Sequence, residues 1–203
     1  MAKKIVAIVG TYRRGRVIET AVDELLSAAR QQGAEAEKVM LLDQRIEFCT
    51  NCRDCTQHPG RARGVCPLKD NMDEILDKID AADGFVLASP INAYSVTAIM
   101  KRFIERLVCY AYWPWNIKKP PQSRIKNRTK RAVVITSSMC PAFIGKWLMG
   151  NPAKILKGTA KFLGAQKTAS LYFGMVAIRE NDTLSESQRQ AARKQGIALA
   201  RGL

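Results

Sequence analysis

The chain has 203 residues, 47% hydrophobic and 25% charged, which is globular rather than disordered or membrane-spanning composition and predicts one domain over residues 1–203. No apolar run approaches the roughly 20 residues of a spanning helix. Neither an export nor a transit segment is expected ahead of the strand-like run at Lys4, so the reading is a soluble cytoplasmic protein away from membranes. Lysine and arginine number 33 against 18 acids, a surplus of +15 that attracts phosphates, acidic proteins or nucleic acid without choosing among them.

Taken in chain order, the hydrophobic periodicity alternates between two kinds. Residues 4–9 form a continuous apolar, β-branched run ending at Gly10, as for a strand buried on both faces. Ile18, Ala21, Val22, Leu25, Leu26 and Ala29 then recur at helical spacing as far as Gly33. A weaker strand over 37–42 leads to a cysteine-rich segment at about 47–69. There Pro59, Gly60, Gly64 and Pro67 predict a loop. A helix is predicted over 70–81 and a strand over 84–89, halted by Pro90. From Val96 the apolar positions mark an amphipathic helix whose Lys101, Arg102, Glu105 and Arg106 face water.

A Pro-rich loop follows at about 110–130. It opens on Tyr110, Tyr112, Trp113 and Trp115 and continues into seven basic residues between Lys118 and Arg131, with no acid among them. Residues 131–137 read as a fourth strand, 153–163 as a helix and 168–173 as a fifth strand. Ser185-Glu186-Ser187-Gln188 is a capping box that opens the last helix, behind Leu184 as a staple. Five strands alternating with five helices predict an α/β fold, a doubly wound parallel sheet with helices on both faces. Ligands of such sheets sit beyond the C-terminal strand ends, which directs attention to the loops at 10–17, 89–96 and 137–146.

The first loop, Gly10-Thr11-Tyr12-Arg13-Arg14-Gly15-Arg16-Val17, joins a hydroxyl and three guanidinium groups to a helix N-terminus. Open N–H groups and arginine forks bind phosphate at such a place. The dinucleotide pattern G-x-G-x-x-G and the Walker lysine motif are both absent. The second loop presents Ser89, Pro90, Ile91, Asn92, Ala93 and Tyr94, and the third Ser137, Ser138, Met139 and Cys140. Small residues, exposed amides and a few apolar groups suit a flat heteroaromatic ring. With His58 as the single histidine, no hydrolytic triad is on offer.

Cys49-x2-Cys52-x2-Cys55-x10-Cys66 is the other chemical feature. Four thiolates at such spacings suit a [4Fe-4S] cluster. Cys55-x2-His58 suits zinc, and a loop of reduced thiols without metal is the third reading. Cys109 reads as core. The aromatic cluster at 110–115 fits a lid, a dimer interface or plain packing of the flank.

Gly10-Thr11-Tyr12-Arg13, the segment ending Cys66-Pro67-Leu68-Lys69-Asp70, and Ser89-Pro90 followed by Lys101-x-Phe103-Ile104-Glu105-Arg106 resemble the flavodoxin-like NAD(P)H-dependent FMN reductases. The branch they look most like is the iron–sulfur flavoproteins. The resemblance implies a flavodoxin-like five-stranded sheet in the order 2-1-3-4-5. It implies FMN, with its phosphate at Thr11, Arg13, Arg16, Val17 and Ile18 and its isoalloxazine against the second and third loops. It also points to NAD(P)H as electron donor and to a [4Fe-4S] cluster on Cys49, Cys52, Cys55 and Cys66 as one reading of the four thiols, while the aromatic cluster at 110–115, read as interface anchors, is the ground for expecting a homodimer or higher oligomer. An FMN-dependent oxidoreductase is therefore expected. The rivals are a non-enzymatic electron carrier of flavodoxin type and, behind it, a nucleic-acid-binding protein using the basic loop. That loop would otherwise dock an acidic electron-transfer protein.

Overall fold

Strands buried on both faces must be apolar at nearly every position. In β1 (Lys4–Val9), β3 (Gly84–Pro90) and β6 (Lys130–Ser137) only the end residues reach solvent. β2 (Glu35–Met40) and β7 (Ala165–Phe173), at the two sheet edges, are exposed or half-buried over most of their length. In this computed structural model, which describes residues 2–148, 150–176 and 178–202, the five make one parallel sheet in the order β2-β1-β3-β6-β7. That is the expected 2-1-3-4-5 arrangement. The labels differ because a small antiparallel hairpin, β4 (Ala111–Tyr112) with β5 (Gln122–Ser123), lies inside the segment expected to be wholly loop.

The period-two alternation of a strand divides its side chains between two cores. Ile5, Ala7, Val9, Val86, Ala88, Val133 and Ile135 face α1 (Val17–Gln31) and α6 (Glu186–Arg201). Val6, Ile8, Phe85, Leu87, Ala132 and Val134 pack on the other face with α2 (Met72–Ala81), α3 (Ala98–Arg106) and α5 (Asn151–Phe162). The capping box forms as expected: the Gln188 N–H donates to Ser185 Oγ at 3.3 Å and the Ser185 N–H to Gln188 Oε1 at 2.9 Å.

One expectation is corrected. Among the described residues there are six α-helices, not five, because α4 (Ala142–Leu148) rises within the third loop. It has seven residues, about two turns, and leaves Phe143 and Trp147 largely exposed, so its apolar spacing is too short to mark it off from the loop around it. No helix among the described residues is long and apolar enough to cross a membrane.

Candidate functional site

The strand order reverses across β1 and β3, which leaves a crevice beyond their C-terminal ends. Gly10 closes β1, and its N–H donates to Ala88 O at 2.8 Å. A Cβ at Gly10 would lie 2.7 Å from Met100 Cβ and 3.2 Å from Thr97 Oγ1, so glycine is what lets α3 approach this strand end. Thr97 Oγ1 donates to Gly10 O at 2.7 Å and accepts the Met100 N–H as the N-cap of α3. Its own N–H donates to Ser89 Oγ at 3.0 Å, which binds the first loop to the second. The Ile91 N–H donates to Ser137 O at 2.9 Å, and the Ser138 N–H to Phe173 O at 3.0 Å. Arg13 Nη2 closes the ring on Glu180 O at 2.7 Å. These ties surround a cavity of about 300 Å3, within the size range of small-molecule sites.

One end of the cavity is built for an anion. The N-cap of α1, Arg16, is extended and caps nothing with its side chain. Among the described residues no protein acceptor takes the N–H of Val17 or Ile18, so the positive end of the helix stays open. Thr11 is buried beside it, its hydroxyl accepting the Arg13 N–H at 3.3 Å. Arg14 turns away to pair with Asp43. Glu19, in the first turn, is occupied by the Gly15 N–H at 2.6 Å and Lys38 Nζ at 2.7 Å. Burial alone would raise its carboxyl, but these donors outweigh burial and hold it below the ordinary value.

The other end is flatter and less charged. Pro90, Ile91, Asn92, Ser137, Ser138 and Met139 line it. Asn92 and Ser95 exchange two backbone hydrogen bonds of 2.9 Å. The turn between them puts Ala93 and Tyr94 at φ 45° and 59°, left-handed conformations that cost non-glycine residues on the order of 1–3 kcal/mol each. Ser138 Oγ lies 2.5 Å from the Tyr172 hydroxyl and accepts the Cys140 N–H at 3.0 Å. Thr136, just before this loop, buries a hydroxyl that has no partner among the described residues. Anion donors at one end and a flat, weakly polar wall at the other fit a phosphorylated ring such as FMN.

Eleven of the fifteen residues expected from the sequence line this cavity: Thr11, Arg13, Arg16, Val17, Ile18, Pro90, Ile91, Asn92, Ser137, Ser138 and Met139. The other four do not. Ser89 is fully buried and spends its hydroxyl on Pro90 O and the Thr97 N–H, so it frames the loop rather than lining the cavity. Ala93 and Tyr94 stand at the exposed turn tip, and Cys140 lies half-buried behind Ser138. Tyr12 and Asp182 line the cavity unannounced. Tyr12 is fixed beside its arginines through its hydroxyl, which accepts the Ile99 N–H at 3.3 Å. Asp182 arrives from the connection between β7 and α6, where only the turn chemistry of Asn181-Asp182 hinted at a fixed side chain. It accepts the N–H groups of Ile178 and Arg179 at 2.7 and 2.9 Å.

The cysteine loop lies apart, tied to the aromatic segment. Arg53, left-handed at φ 64°, stacks 3.6 Å from the Trp113 ring and 3.9 Å from Trp115, and donates to Trp113 O. Thr56 is fully buried there, accepting the Trp113 N–H on its carbonyl at 3.0 Å. Arg124 donates to Cys55 O at 3.2 Å, and the Gly64 N–H to Cys109 O at 2.8 Å. Within residues 110–115, Tyr110 is fully buried and Trp113 holds the loop, so these two pack the flank, whereas Trp115 is exposed. Cys109 is core as expected, its thiol pushed up to about 12 by burial.

Cys55 is buried, Cys49 and Cys66 half-buried and Cys52 exposed. Burial first, then neighbouring Cys66, Cys49 and Cys52, pushes the Cys55 thiol up to about 11, so all four share one electrostatic neighbourhood. Among the described residues no three of His, Cys, Asp or Glu converge as the shell of a single metal ion. A four-iron cluster takes each thiolate at a different iron and keeps the ligands further apart, and the four-thiol donor set has the chemistry for it.

The family model described as NADPH-dependent FMN reductase matches residues 3–135, more than half of the chain. An "iron-sulfur flavoprotein" of Archaeoglobus fulgidus is 35% identical over 111 residues, which is 55% of this chain and 48% of that protein. The chain thus spans about half the length of the curated relatives it matches. In fold it is similar to an NAD(P)H:quinone oxidoreductase from Methanothermobacter marburgensis, with a TM-score of 0.76 at 18% identity over 98% of this chain and 96% of the other. It is also similar to a flavodoxin from the domain Archaea, with a TM-score of 0.56 at 10% identity over 98% and 97% of the two chains.

Proposed function

Because the chain belongs to the NADPH-dependent FMN reductase family, we propose that it is an FMN-dependent oxidoreductase drawing electrons from NADH or NADPH, with FMN in the rim cavity. The observation that carries this reading is the convergence of three strand-end loops on one cavity with an uncapped helix N-terminus at its end. FMN, when bound, supplies the redox chemistry, accepting a hydride equivalent and passing electrons on. The protein's part is to hold and insulate it. The open amides of Val17 and Ile18, with Thr11, Arg13 and Arg16, would take the phosphate. Pro90, Ile91 and Met139 would give the ring apolar contact, and the Asn92 side-chain amide and the Ser137 hydroxyl would meet its polar edge.

The four cysteines are read as ligands of a [4Fe-4S] cluster, supported by their shared neighbourhood and by the printed names of the relatives. Such a cluster would exchange single electrons with outside carriers.

The purified protein is expected to be yellow, to release FMN on denaturation and to oxidise NADH or NADPH when an electron acceptor is added. Colourless protein that stays without flavin after incubation with FMN would overturn the assignment. Flavin-loaded protein that turns over neither nicotinamide would instead be a carrier. Iron and acid-labile sulfide, assayed after anaerobic purification, decide the cluster separately.

A further inference from the structure

Arg106 ends α3 and is a buried cation, 3% exposed, although its helix pattern placed it on the wet face. Its guanidinium is divided among three partners. Nη1 donates to Glu47 O at 2.9 Å and to Asp70 Oδ2 at 2.5 Å, while Nη2 donates to Asp70 Oδ1 at 3.3 Å and to Cys66 Sγ at 3.5 Å. The side chains of the Arg106–Asp70 pair are 2% and 1% exposed. Burying such a pair gains little stability over well-packed apolar residues, so a purely structural role explains it poorly. Asp70 is spent on positioning: beyond Arg106 it accepts the N–H groups of Glu47 and Met72 at 2.7 and 3.0 Å. The donor left over points at sulfur.

The other end of the same helix is held at the rim cavity, where Thr97 binds Gly10 and Ser89. Nine helical residues span about 13 Å at the usual rise. One rigid element therefore joins the cavity to Cys66.

We propose that Arg106 is the positioning residue of Cys66: it fixes this sulfur before a cluster is built and, once the cluster is present, donates an N–H···S hydrogen bond that raises its reduction potential. The inference rests on the cluster reading above. The physical cause is that reduction adds negative charge to the cluster and its sulfurs, which an N–H aimed at the Cys66 sulfur stabilises; the guanidinium's net charge is already balanced by Asp70.

The test compares wild type, Arg106→Lys and the double variant Arg106→Gln with Asp70→Asn, each reconstituted anaerobically with iron and sulfide. FMN content reports the fold, iron and sulfide report the cluster, and a mediated redox titration followed by electron paramagnetic resonance reports the potential. Arg106→Lys keeps the charge for Asp70 but loses the fork that reaches sulfur. The double variant keeps the shape and removes both charges, and it decides the matter if the lysine variant loses FMN. The expected result is full FMN, slower cluster assembly and a lower potential, with the reduced-to-oxidised ratio at a fixed poise down roughly tenfold, equivalent to about 59 mV for one electron. Variants that keep FMN and show the wild-type potential and assembly rate would overturn the proposal. Wild type that holds FMN but takes up no cluster would overturn the cluster reading itself, a different result from the first.

Discussion

Arg13 and Ser89 show what single residues in a loop disclose. Arg13 follows a buried strand and Ser89 stands at the end of one, and by sequence both qualify as ligand contacts. Arg13 reaches the cavity with its remaining guanidinium N–H groups uncommitted once Nη2 has taken Glu180 O. Ser89 is drawn inward by Thr97, a pairing that depends on how α3 is seated and so has no local signature. Replacing Arg13 by Ala is expected to weaken FMN by about 1.5–3 kcal/mol, the usual worth of a charged hydrogen bond. Riboflavin, which lacks the phosphate, should bind unchanged. Fluorescence titration with the two flavins measures both, and equal affinities of wild type and variant for FMN would remove Arg13 from the phosphate end. The loop at 10–17 was legible because a helix start after the first strand of such a sheet is an anion site on general grounds, and the family resemblance narrowed it to Thr11, Arg13, Arg16, Val17 and Ile18. Asp182 was not, since nothing near it in sequence belongs to the cavity.

Elements with a long apolar stripe were legible to within a few residues, and the shortest ones were not. α1 and α3 announced themselves by apolar spacing, whereas α4 did not. The capping box at Ser185 located the start of α6, but not how closely that helix lies on α1. A Cβ at Gly196 would stand 2.0 Å from Leu25 O, an approach that only glycine permits. Gly196→Ala must therefore push α6 off α1. The expected cost is about 1–3 kcal/mol from overpacking, seen as a lower urea midpoint. An unchanged midpoint would mean that the two helices slide apart freely. The hairpin β4–β5 was hidden for a different reason: two-residue strands held by one register are too short to show alternation.

Charge is a property of the molecule entire, and the sequence counted it without placing it. Arg124 and Lys130 of the basic run are absorbed by carbonyls of Ala111, Cys55, Asp80 and Ala82. Lys126 and Arg128 instead line a groove with Lys157 and Lys161 of α5, by the start of β7 and away from the cavity. On the acidic side, the Asp70 carboxyl would be raised by burial, but Arg106 and the N–H groups of Glu47 and Met72 outweigh that and hold it below its ordinary 3.8. A depressed folded value means that its contribution is complete above the unfolded value and drains away as pH falls through the folded one. The stability gap between wild type and Asp70→Asn should therefore be widest above about pH 5 and narrow towards about pH 3. Thermal melts across that range measure it, and a gap independent of pH would show that the ionised form is not what the fold uses.

The cavity takes its walls from residues near positions 11–18, 90–92, 137–139 and 182, four stretches spread over most of the chain. No excised fragment can reproduce it, and during synthesis its last wall leaves the ribosome only after every strand of the sheet. Capture of any occupant is thus a late event, and its binding energy is credited to the completed architecture rather than to one part, so a loaded molecule should resist proteolysis along its whole length.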